Sequence, residues 1–311
     1  MISFYKHRFK YFTISLFLIL FGVVAAFING IQLDIQFKGG SILKYTYSSN
    51  IDAEQAGQIV EQAIGKTSSC HLQSNLANDN KMLIVSLASN EALTSQEQTV
   101  VTSALTQAYP DAQLSLAESL TVEPFMGRHF FTNGMIAIVL SFLLILVYVG
   151  WRFRNIGGLS AGAMAIVALL HDTLIVTAVF IIFKIPLNDS FIAAILTIIG
   201  FSINDTIVIY DRIRENERLL RKQAPARELV DLSINQSMMR SINTNIAVFL
   251  SITVIYIFAQ IYDISSIRAF ALPMMFGTIS GCYSTICIAG PLWTMWQDHK
   301  NNKSTVHPAR A

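Results

Sequence analysis

Residues 191–210 read FIAAILTIIGFSINDTIVIY, a run that is apolar almost throughout and yet contains an aspartate, Asp205. A helix of about 20 residues spans roughly 30 Å at 1.5 Å per residue, which is the thickness of the hydrocarbon core of a bilayer. A charged side chain near the bilayer centre costs roughly 2.5 to 3.5 kcal/mol on insertion scales, so such residues are rare and usually functional. The segment therefore predicts a transmembrane helix that carries a functional carboxylate.

Further apolar runs accompany this one in a chain of 311 residues, of which 53% are hydrophobic and 14% charged, with a mean hydropathy of +0.49. The further runs cover residues 11–28, 130–149, 157–183, 242–261 and 269–295. A large soluble core would instead need shorter runs with polar faces between them. We therefore predict a membrane all-α bundle of six transmembrane helices.

Lysine and arginine are distributed unevenly between these runs. They precede the first run and follow the second, fourth and sixth, whereas the connections after the third and fifth runs hold only Lys184 and Arg268. Because short cytoplasmic loops carry an excess of basic residues, both termini are predicted to be cytoplasmic. The first run also resembles a signal peptide with a candidate cleavage site at Val24-Ala25-Ala26, although we favour its retention as a span.

Residues 30–128 are the long polar region of the chain, and this topology places them outside the cytoplasm, in the periplasm. The predicted elements are a strand at 43–47, a helix at 56–63, a hairpin of strands at 70–76 and 82–87, a helix at 94–108 and a strand at 114–122. Thr94 and Glu97 form a candidate capping box for the second helix. The order βαββαβ indicates an α+β, ferredoxin-like domain between the first two spans.

These patterns divide the chain into four parts. Val230, Ile234 and Met238 recur at four-residue spacing after Pro225, which predicts an amphipathic segment at about 212–240 that lies on the cytoplasmic membrane surface. The predicted parts are the N-terminus and first span at 1–29, the periplasmic domain at 30–128, spans two to six at 129–296 and a cytoplasmic tail at 297–311.

Several ionisable and polar side chains interrupt the apolar runs. They are His171 and Asp172 in the third run, Ser202, Asn204 and Asp205 in the fourth, and Arg240, Asn243 and Thr244 at the entry of the fifth. Residues three and four apart share a helix face, so the polar stripes of the fourth and fifth spans can meet inside the bundle. Protonation of an aspartate paired there with an arginine would release the arginine and change helix packing. The alternative is a static pair that fixes helix register.

Other chemistries find little support in the sequence. It has no HExxH or CxxC motif, and its histidines and three cysteines lack metal-ligand spacing, so we predict no metal, no cofactor and no nucleic-acid partner. Asp172 and Asp205 could suggest an intramembrane aspartyl protease. However, neither stands in a Gly-x-Gly-Asp context, and a nearby arginine would oppose the shared-proton dyad of such enzymes. We therefore predict that the protein is not an enzyme.

Three stretches of this sequence resemble the SecF family of protein-export membrane proteins. They are GFSINDTIVIYDRIREN at 200–216, NQSMMRSINT at 235–244 and LHD at 170–172, and the resemblance extends over essentially the whole chain. Two departures stand near the ends of the outer region. Gln36 occupies a position where an Asp is usual, and Val122-Glu123-Pro124 replaces the usual Val-Gly-Pro.

The resemblance implies a non-enzymatic membrane protein of the resistance-nodulation-division superfamily, in which protons are the coupling ion. Its implied role is to use the proton motive force in late steps of polypeptide translocation across the bacterial inner membrane. Implied partners are a SecD-like subunit in a heterodimer, the SecYEG channel, YajC, YidC, the translocating polypeptide and membrane lipid. A subunit of a small-molecule exporter of the same superfamily is the alternative.

The resemblance also assigns roles to residues of the membrane region. It places the essential proton-coupling pair at Asp205 and Arg240, with Asn204 and Asp172 in supporting positions. The other polar membrane residues, expected to assist them, are His171, Ser202, Asn243 and Thr244.

Overall fold

A computed structural model of the chain describes residues 2–306 except 35–36, 38, 50, 67, 76–79, 89–92, 123, 221–223 and 263. Gln36, Glu123 and the end of the predicted tail, residues 307–311, therefore lie outside the described residues. The described chain contains a helical bundle and a small sheet domain, each with its own hydrophobic core.

The elements follow one another along the chain with short connections. In chain order they are α1 (Arg8–Asn29), β1 (Gly40–Tyr47), α2 (Ala53–Ile64), β2 (Ser68–Asn75), β3 (Asn80–Ala88), α3 (Ser95–Ala108), β4 (Ser115–Val122), α4 (Pro124–Arg152), α5 (Gly158–Ile182), α6 (Asp189–Leu219), α7 (Ala226–Ile261), α8 (Ser265–Ser284) and α9 (Gly290–Val306). Within the described residues, six helices are long and apolar enough to cross a membrane. They are α1, α4, α5, α6, α7 and the pair α8–α9, in agreement with the predicted six spans.

The sheet domain consists of four antiparallel strands in the order β2-β3-β1-β4. Its elements follow the predicted order βαββαβ, and β2 and β3 form the predicted hairpin. Alternate residues of the strands, such as Leu43, Tyr45 and Val85, are fully buried against Val60 of α2 and Val101 of α3. The period-two alternation seen in the sequence is therefore the inner face of this sheet.

The predicted capping box forms at the start of α3. Glu97 N donates to Thr94 Oγ1 at 3.3 Å, and Thr94 N donates to Glu97 Oε2 at 2.9 Å. Lys66 Nζ lies 2.6 Å from Glu97 Oε1 and ties α3 to the segment that follows α2. The hydrogen bonds from Lys66 and then from Thr94 lower the pKa of Glu97 from 4.5 to about 2.

The centre of the bundle is formed by α5, α6 and the α8–α9 span, which are more deeply buried than α1, α4 and α7. In the sequence, Gly158 and Gly162 and likewise Gly277 and Gly281 stand at G-x-x-x-G spacing, which predicts close helix contacts. The structure confirms these contacts. A Cβ on Gly158 would lie 2.1 Å from the carbonyl oxygen of Gly150, and one on Gly277 would lie 2.5 Å from Ile198 Cδ1. Only glycine permits these approaches.

A short backbone connection joins the segment after α1 to the segment before α6. Leu33 and Leu187 form a parallel β-bridge, in which Leu187 N donates to Gln32 O at 2.8 Å and Asp34 N donates to Leu187 O at 3.0 Å. The start of the outer region is thereby bonded to the connection between the third and fourth spans.

The segment predicted to be an amphipathic helix on the membrane surface, at about 212–240, has a different structure. Residues 226–240 are the first part of α7, a continuous helix of 36 residues that begins directly after Pro225. Val230 and Ile234 are fully buried, next to Gly290 at the start of α9. Their four-residue spacing is therefore a packing face against the last helix of the chain.

Candidate functional site

Asp172 lies at the centre of a buried polar cluster where α5, α6 and α8 meet. Its side chain is buried and accepts hydrogen bonds from three serine hydroxyls. Ser202 Oγ and Ser284 Oγ lie 2.6 and 2.7 Å from Oδ2, and Ser280 Oγ lies 2.6 Å from Oδ1. The ring nitrogen Nδ1 of His171 lies 3.1 Å from Oδ1.

Helix geometry explains why these donors converge. Ser280 and Ser284 stand four residues apart, on one face of α8, and present their hydroxyls to α5. Gly281 lies between them, and a Cβ at that position would lie 3.2 Å from Ser202 Cβ. The missing side chain therefore lets α6 bring Ser202 up to the same carboxylate.

The cluster satisfies a carboxylate that would otherwise be costly to bury. Two carboxylate oxygens offer about four lone-pair sites, and each oxygen of Asp172 has two neighbours. Hydrogen bonds to charged groups are stronger than neutral ones, and a buried charge needs them to offset the loss of water. The geometry therefore gives each oxygen of Asp172 two possible hydrogen-bond donors.

The hydroxyl network continues one turn along α6. Thr206 Oγ1 lies 3.0 Å from Thr285 Oγ1 and donates to Ser202 O at 3.1 Å. Thr285 opens a five-residue π-helix, Thr285–Ala289, which joins α8 to α9. Such wide turns are frequent at functional sites, because they shift side chains relative to a regular helix.

Asp205 has a different environment from Asp172. It is buried at 5% exposure on α6, and Nδ2 of Asn245 on α7 donates a hydrogen bond to its Oδ2. Asn245 Nδ2 also donates to Ser241 O at 2.9 Å, within its own helix. The fourth and fifth spans are thus joined at Asp205 by Asn245, and not by the predicted face of Arg240, Asn243 and Thr244.

Arg240 does not occupy the position predicted for it as the direct partner of Asp205. It interacts electrostatically with Asp205, but among the described residues no ion pair includes it. Arg240 lies one and a half turns before Asn245, a rise of about 7.5 Å, and its exposed side chain lines an open cleft between α6 and α7. This cleft has a volume of about 700 Å³ and also contains Arg212 and Arg218.

Three predicted site residues lie outside both clusters. Asn204, Asn243 and Thr244 are exposed on the flanks of α6 and α7. The structure therefore brings Asp172, His171 and Ser202 together, joins Asp205 to α7, and leaves these three amide and hydroxyl side chains on the outer surface of the chain. In the described part of the chain, no three His, Cys, Asp or Glu side chains converge as metal ligands would.

Sequence reasoning missed Ser280, Ser284 and the role of Asn245. The two serines stand beside Gly277 and Gly281, where only the glycine spacing was used for prediction. Their i, i+4 spacing in an apolar run is a signal that could have found them, since two hydroxyls on one helix face require a polar neighbour.

The fold and the buried polar site can be compared with those of known proteins. A bundle of six apolar helices with two buried aspartates and a sheet domain after its first helix is typical of integral membrane proteins that carry ionisable residues on their spans. Residues 100–299 match the family model described as protein export membrane protein SecD/SecF, C-terminal. The chain therefore belongs to the SecD/SecF family, and its relatives place it with the SecF subunits.

Two of these relatives are named protein translocase subunit SecF. The one from Sebaldella termitidis is 32% identical, with 92% of this chain and 89% of the relative covered. The one from Helicobacter pylori strain J99 is 33% identical, with 89% and 81% covered.

Solved structures of SecDF show the same fold. The crystal structure of SecDF from Thermus thermophilus, named there a translocon-associated membrane protein, superposes with a TM-score of 0.78 at 28% identity, over 96% of this chain and 39% of that one. This chain therefore spans about two fifths of the SecDF chain, the remainder of which indicates a SecD-like partner.

Proposed function

We propose that this protein is the SecF-like subunit of a proton-driven Sec export machine. The observation that carries the proposal is the pair of buried aspartates, Asp172 and Asp205, on the neighbouring helices α5 and α6 of a SecF family member. In this proposal the subunit uses the proton motive force to promote late steps of polypeptide translocation across the inner membrane. It is not an enzyme, and protons are its coupling ion.

The energy available is sufficient for such a role. A proton that crosses a potential of 100 mV supplies about 2.3 kcal/mol. Each pH unit of gradient adds about 1.4 kcal/mol. Either amount shifts an equilibrium between two helix packings by about tenfold or more.

Asp205 is the proposed proton carrier. When ionised it accepts the hydrogen bond of Asn245 on α7, and Arg240 lies within electrostatic range. A proton on Asp205 weakens both attractions between α6 and α7 and favours a second packing of these helices. Arg240 lines an open cleft, so its side chain can move without breaking an ion pair of the described residues.

Asp172, by contrast, holds α5, α6 and α8 together. Its three serine donors come from two other helices, so the cluster provides a fixed frame against which α7 moves. Asn204 belongs to the proposed coupling site, although it is exposed in the chain alone.

The exposed polar residues support a SecD-like partner. Asn204, Asn243 and Thr244 lie on spans, where lipid would leave their polar groups without hydrogen bonds. A second membrane subunit packed on α6 and α7 would satisfy them. We propose a heterodimer of this kind, in contact with SecYEG, YajC, YidC, membrane lipid and the translocating polypeptide.

The sheet domain, in this proposal, is ferredoxin-like and lies in the periplasm, and both termini lie in the cytoplasm. The strand order and the βαββαβ sequence of elements support the first point. The distribution of basic residues supports the orientation.

Export from vesicles tests the proposal. We expect Asp205→Asn to abolish the stimulation of export by a proton gradient, because the amide keeps the shape of the carboxyl but cannot titrate. Arg240→Met should do the same by removing the counter-charge of Asp205. Glu118→Gln, which removes an exposed carboxylate of the sheet domain, is the matched control and should export normally.

The double variant separates proton coupling from a static charge pair. If the two residues only balance each other, Asp205→Asn with Arg240→Met leaves no unpaired charge and should restore export. We expect no restoration at matched protein levels. Normal proton-driven export by the double variant would contradict the proposed function.

A further inference from the structure

His171 carries a buried nitrogen that no other part of the described chain satisfies. The side chain is 6% exposed, its Nδ1 lies 3.1 Å from Asp172 Oδ1, and its Nε2 is buried without a hydrogen-bond partner among the described residues. A buried polar atom without a partner is unfavourable, because it has lost its hydrogen bonds to water. Such an atom in a membrane bundle requires an explanation.

The hydrogen bonds of the cluster determine which nitrogen carries the proton. Three sites on the Asp172 carboxylate are occupied by serine hydroxyls, and the fourth faces Nδ1 of His171. Next to an ionised Asp172, a lone pair on Nδ1 would repel the carboxylate oxygen, so this arrangement favours the tautomer in which Nδ1 donates. In a neutral imidazole, Nε2 then carries a free lone pair.

We propose that Nε2 of His171 is a proton-binding site inside the membrane, and that Asp172 remains ionised and serves as its counter-charge. Before uptake, the neutral ring and the carboxylate together have a charge of −1. The proton adds to the lone pair of Nε2, no other bond breaks, and the resulting imidazolium and carboxylate have a net charge of zero. Proton uptake therefore removes the net charge of the cluster from the bilayer.

Among the described residues, no other group forms a hydrogen bond with Nε2 of His171. Tyr283 of α8 lies with its ring 6.0 Å from the imidazole, but its hydroxyl donates to Tyr11 O at 2.7 Å. Cys287 belongs to the π-helix and interacts electrostatically with Tyr283. Asp205 lies one turn beyond Ser202 on α6 and is hydrogen-bonded to Asn245.

Charged groups on the other helices packed against α5 lie at helix ends. Arg152 at the end of α4 pairs with Asp211, and Asp298 of α9 pairs with Arg227. Asp172 is therefore the charge that acts on His171 at close range.

Protonation also has a consequence for packing. The new Nε2–H is a buried donor on a charged ring, and leaving it unpaired would be unfavourable. The protonated state therefore favours an arrangement in which Nε2 reaches an acceptor, either a water molecule or a carbonyl oxygen of the neighbouring helices. The link from this change to export rests on the proposed function, whereas the protonation itself does not.

Nitrogen NMR of the full chain, labelled with ¹⁵N-histidine in lipid nanodiscs, tests the proposal. The chain has six histidines, and the signals of His171 are those lost in His171→Asn. His299→Asn, at an exposed position of α9, is the control and should leave them in place. At about pH 8 we expect an Nδ1–H signal and a separate lone-pair signal of Nε2, and the latter should become an N–H signal as the pH falls to about 5.

Asp172→Asn provides a second variant in case His171→Asn does not fold. The amide has no charge to balance an imidazolium, so the signal of protonated Nε2 should be lost at the same acidic pH. An Nε2–H tautomer at about pH 8, a ring that stays neutral at about pH 5, or an unchanged titration in Asp172→Asn would each overturn the proposal.

Export measurements separate this inference from the proposed function. We expect His171 to titrate in the Asp205→Asn variant as well, because the Asp205 carboxylate does not contact the ring. If it titrates there while Asp205→Asn still shows proton-driven export, the proposed function fails and the proton site stands. If His171 does not titrate while Asp205→Asn abolishes export, the proton site fails and the proposed function stands.

Discussion

At the scale of single residues, the two buried aspartates differ in how firmly they are held. Asp172 has four polar neighbours from three helices, whereas one amide, from Asn245, contacts Asp205. One amide contact is more easily broken than four contacts from three helices. For this reason our proposal gives the moving proton of the export cycle to Asp205 and treats Asp172 as a fixed counter-charge.

Removing one serine donor of Asp172 should destabilise the bundle. Ser280→Ala leaves one site of a buried carboxylate empty, and hydrogen bonds to charged groups contribute about 1.5 to 3 kcal/mol. We expect a loss of that size in the free energy of unfolding, measured in mixed detergent micelles. Ser251→Ala is the control, since that hydroxyl bonds only within its own helix, to Ala247 O. Equal stability of the two variants would contradict the ionised cluster.

The residue types of the site could be predicted from the sequence, but their partners could not. His171, Asp172 and Asp205 stand out because they interrupt apolar runs. Which side chain faces them depends on the rotation and offset of each helix, and a shift of about one turn decides between Arg240 and Asn245 as the neighbour of Asp205. Three-dimensional packing sets that offset, and no local pattern encodes it.

At the scale of elements, α8 depends on glycine for its position. Gly277 packs against Ile198 of α6, where an added Cβ would lie 2.5 Å from Cδ1. Gly277→Ala must displace the Ile198 side chain or push the two helices apart, and overpacking of this kind costs about 1 to 3 kcal/mol. Gly200→Ala is the matched control, because a Cβ there meets nothing within 4 Å. Chemical unfolding of the two variants should show the loss for Gly277→Ala alone.

The capping box of α3 should make the sheet domain sensitive to acid. Glu97 has its pKa lowered from 4.5 to about 2, chiefly by Lys66, so its contribution to stability is complete above about pH 4.5 and is lost as the pH falls towards 2. Glu97→Gln should therefore be less stable than the natural domain at neutral pH and equally stable near pH 2.

Circular dichroism melts of residues 30–128 provide the measurement, because this domain has its own core and should fold alone. Gln98→Ala removes an uncharged side chain from the same helix and is the control. Its difference from the natural domain should stay constant over this pH range. A difference for Glu97→Gln that persists near pH 2 would show that Lys66 does not act through the charge of Glu97.

The helices and strands could be predicted well because each is marked by a periodic pattern of hydrophobic residues within its own stretch of sequence. The predicted strand at 43–47 lies within β1, and the capping box marks the start of α3 to the residue. The continuation of residues 226–240 into α7 and the π-helix at Thr285–Ala289 could not be foreseen in this way. Both depend on contacts with distant helices, which local periodicity does not report.

At the scale of the whole molecule, the sheet domain and the two chain termini are predicted to lie on opposite sides of the membrane. A single cysteine at the exposed position Gln107→Cys, in a variant without the native cysteines, should react with an impermeant reagent in intact spheroplasts. Lys300→Cys should react only after lysis, because the end of α9 is predicted to lie in the cytoplasm. The reverse pattern would invert the orientation of every span.

The β-bridge between Leu33 and Leu187 links the segment before the sheet domain to the start of the fourth span through backbone hydrogen bonds. Leu187 lies just before the start of α6, the helix that carries Asp205. Leu33 lies between α1 and β1 in the sequence. A shift of α6 along its axis would therefore act on residues 32–34 through these two backbone hydrogen bonds. The next strand in the sequence, β1, is paired on both edges, to β3 and β4, so the bridged segment precedes a central strand of the sheet.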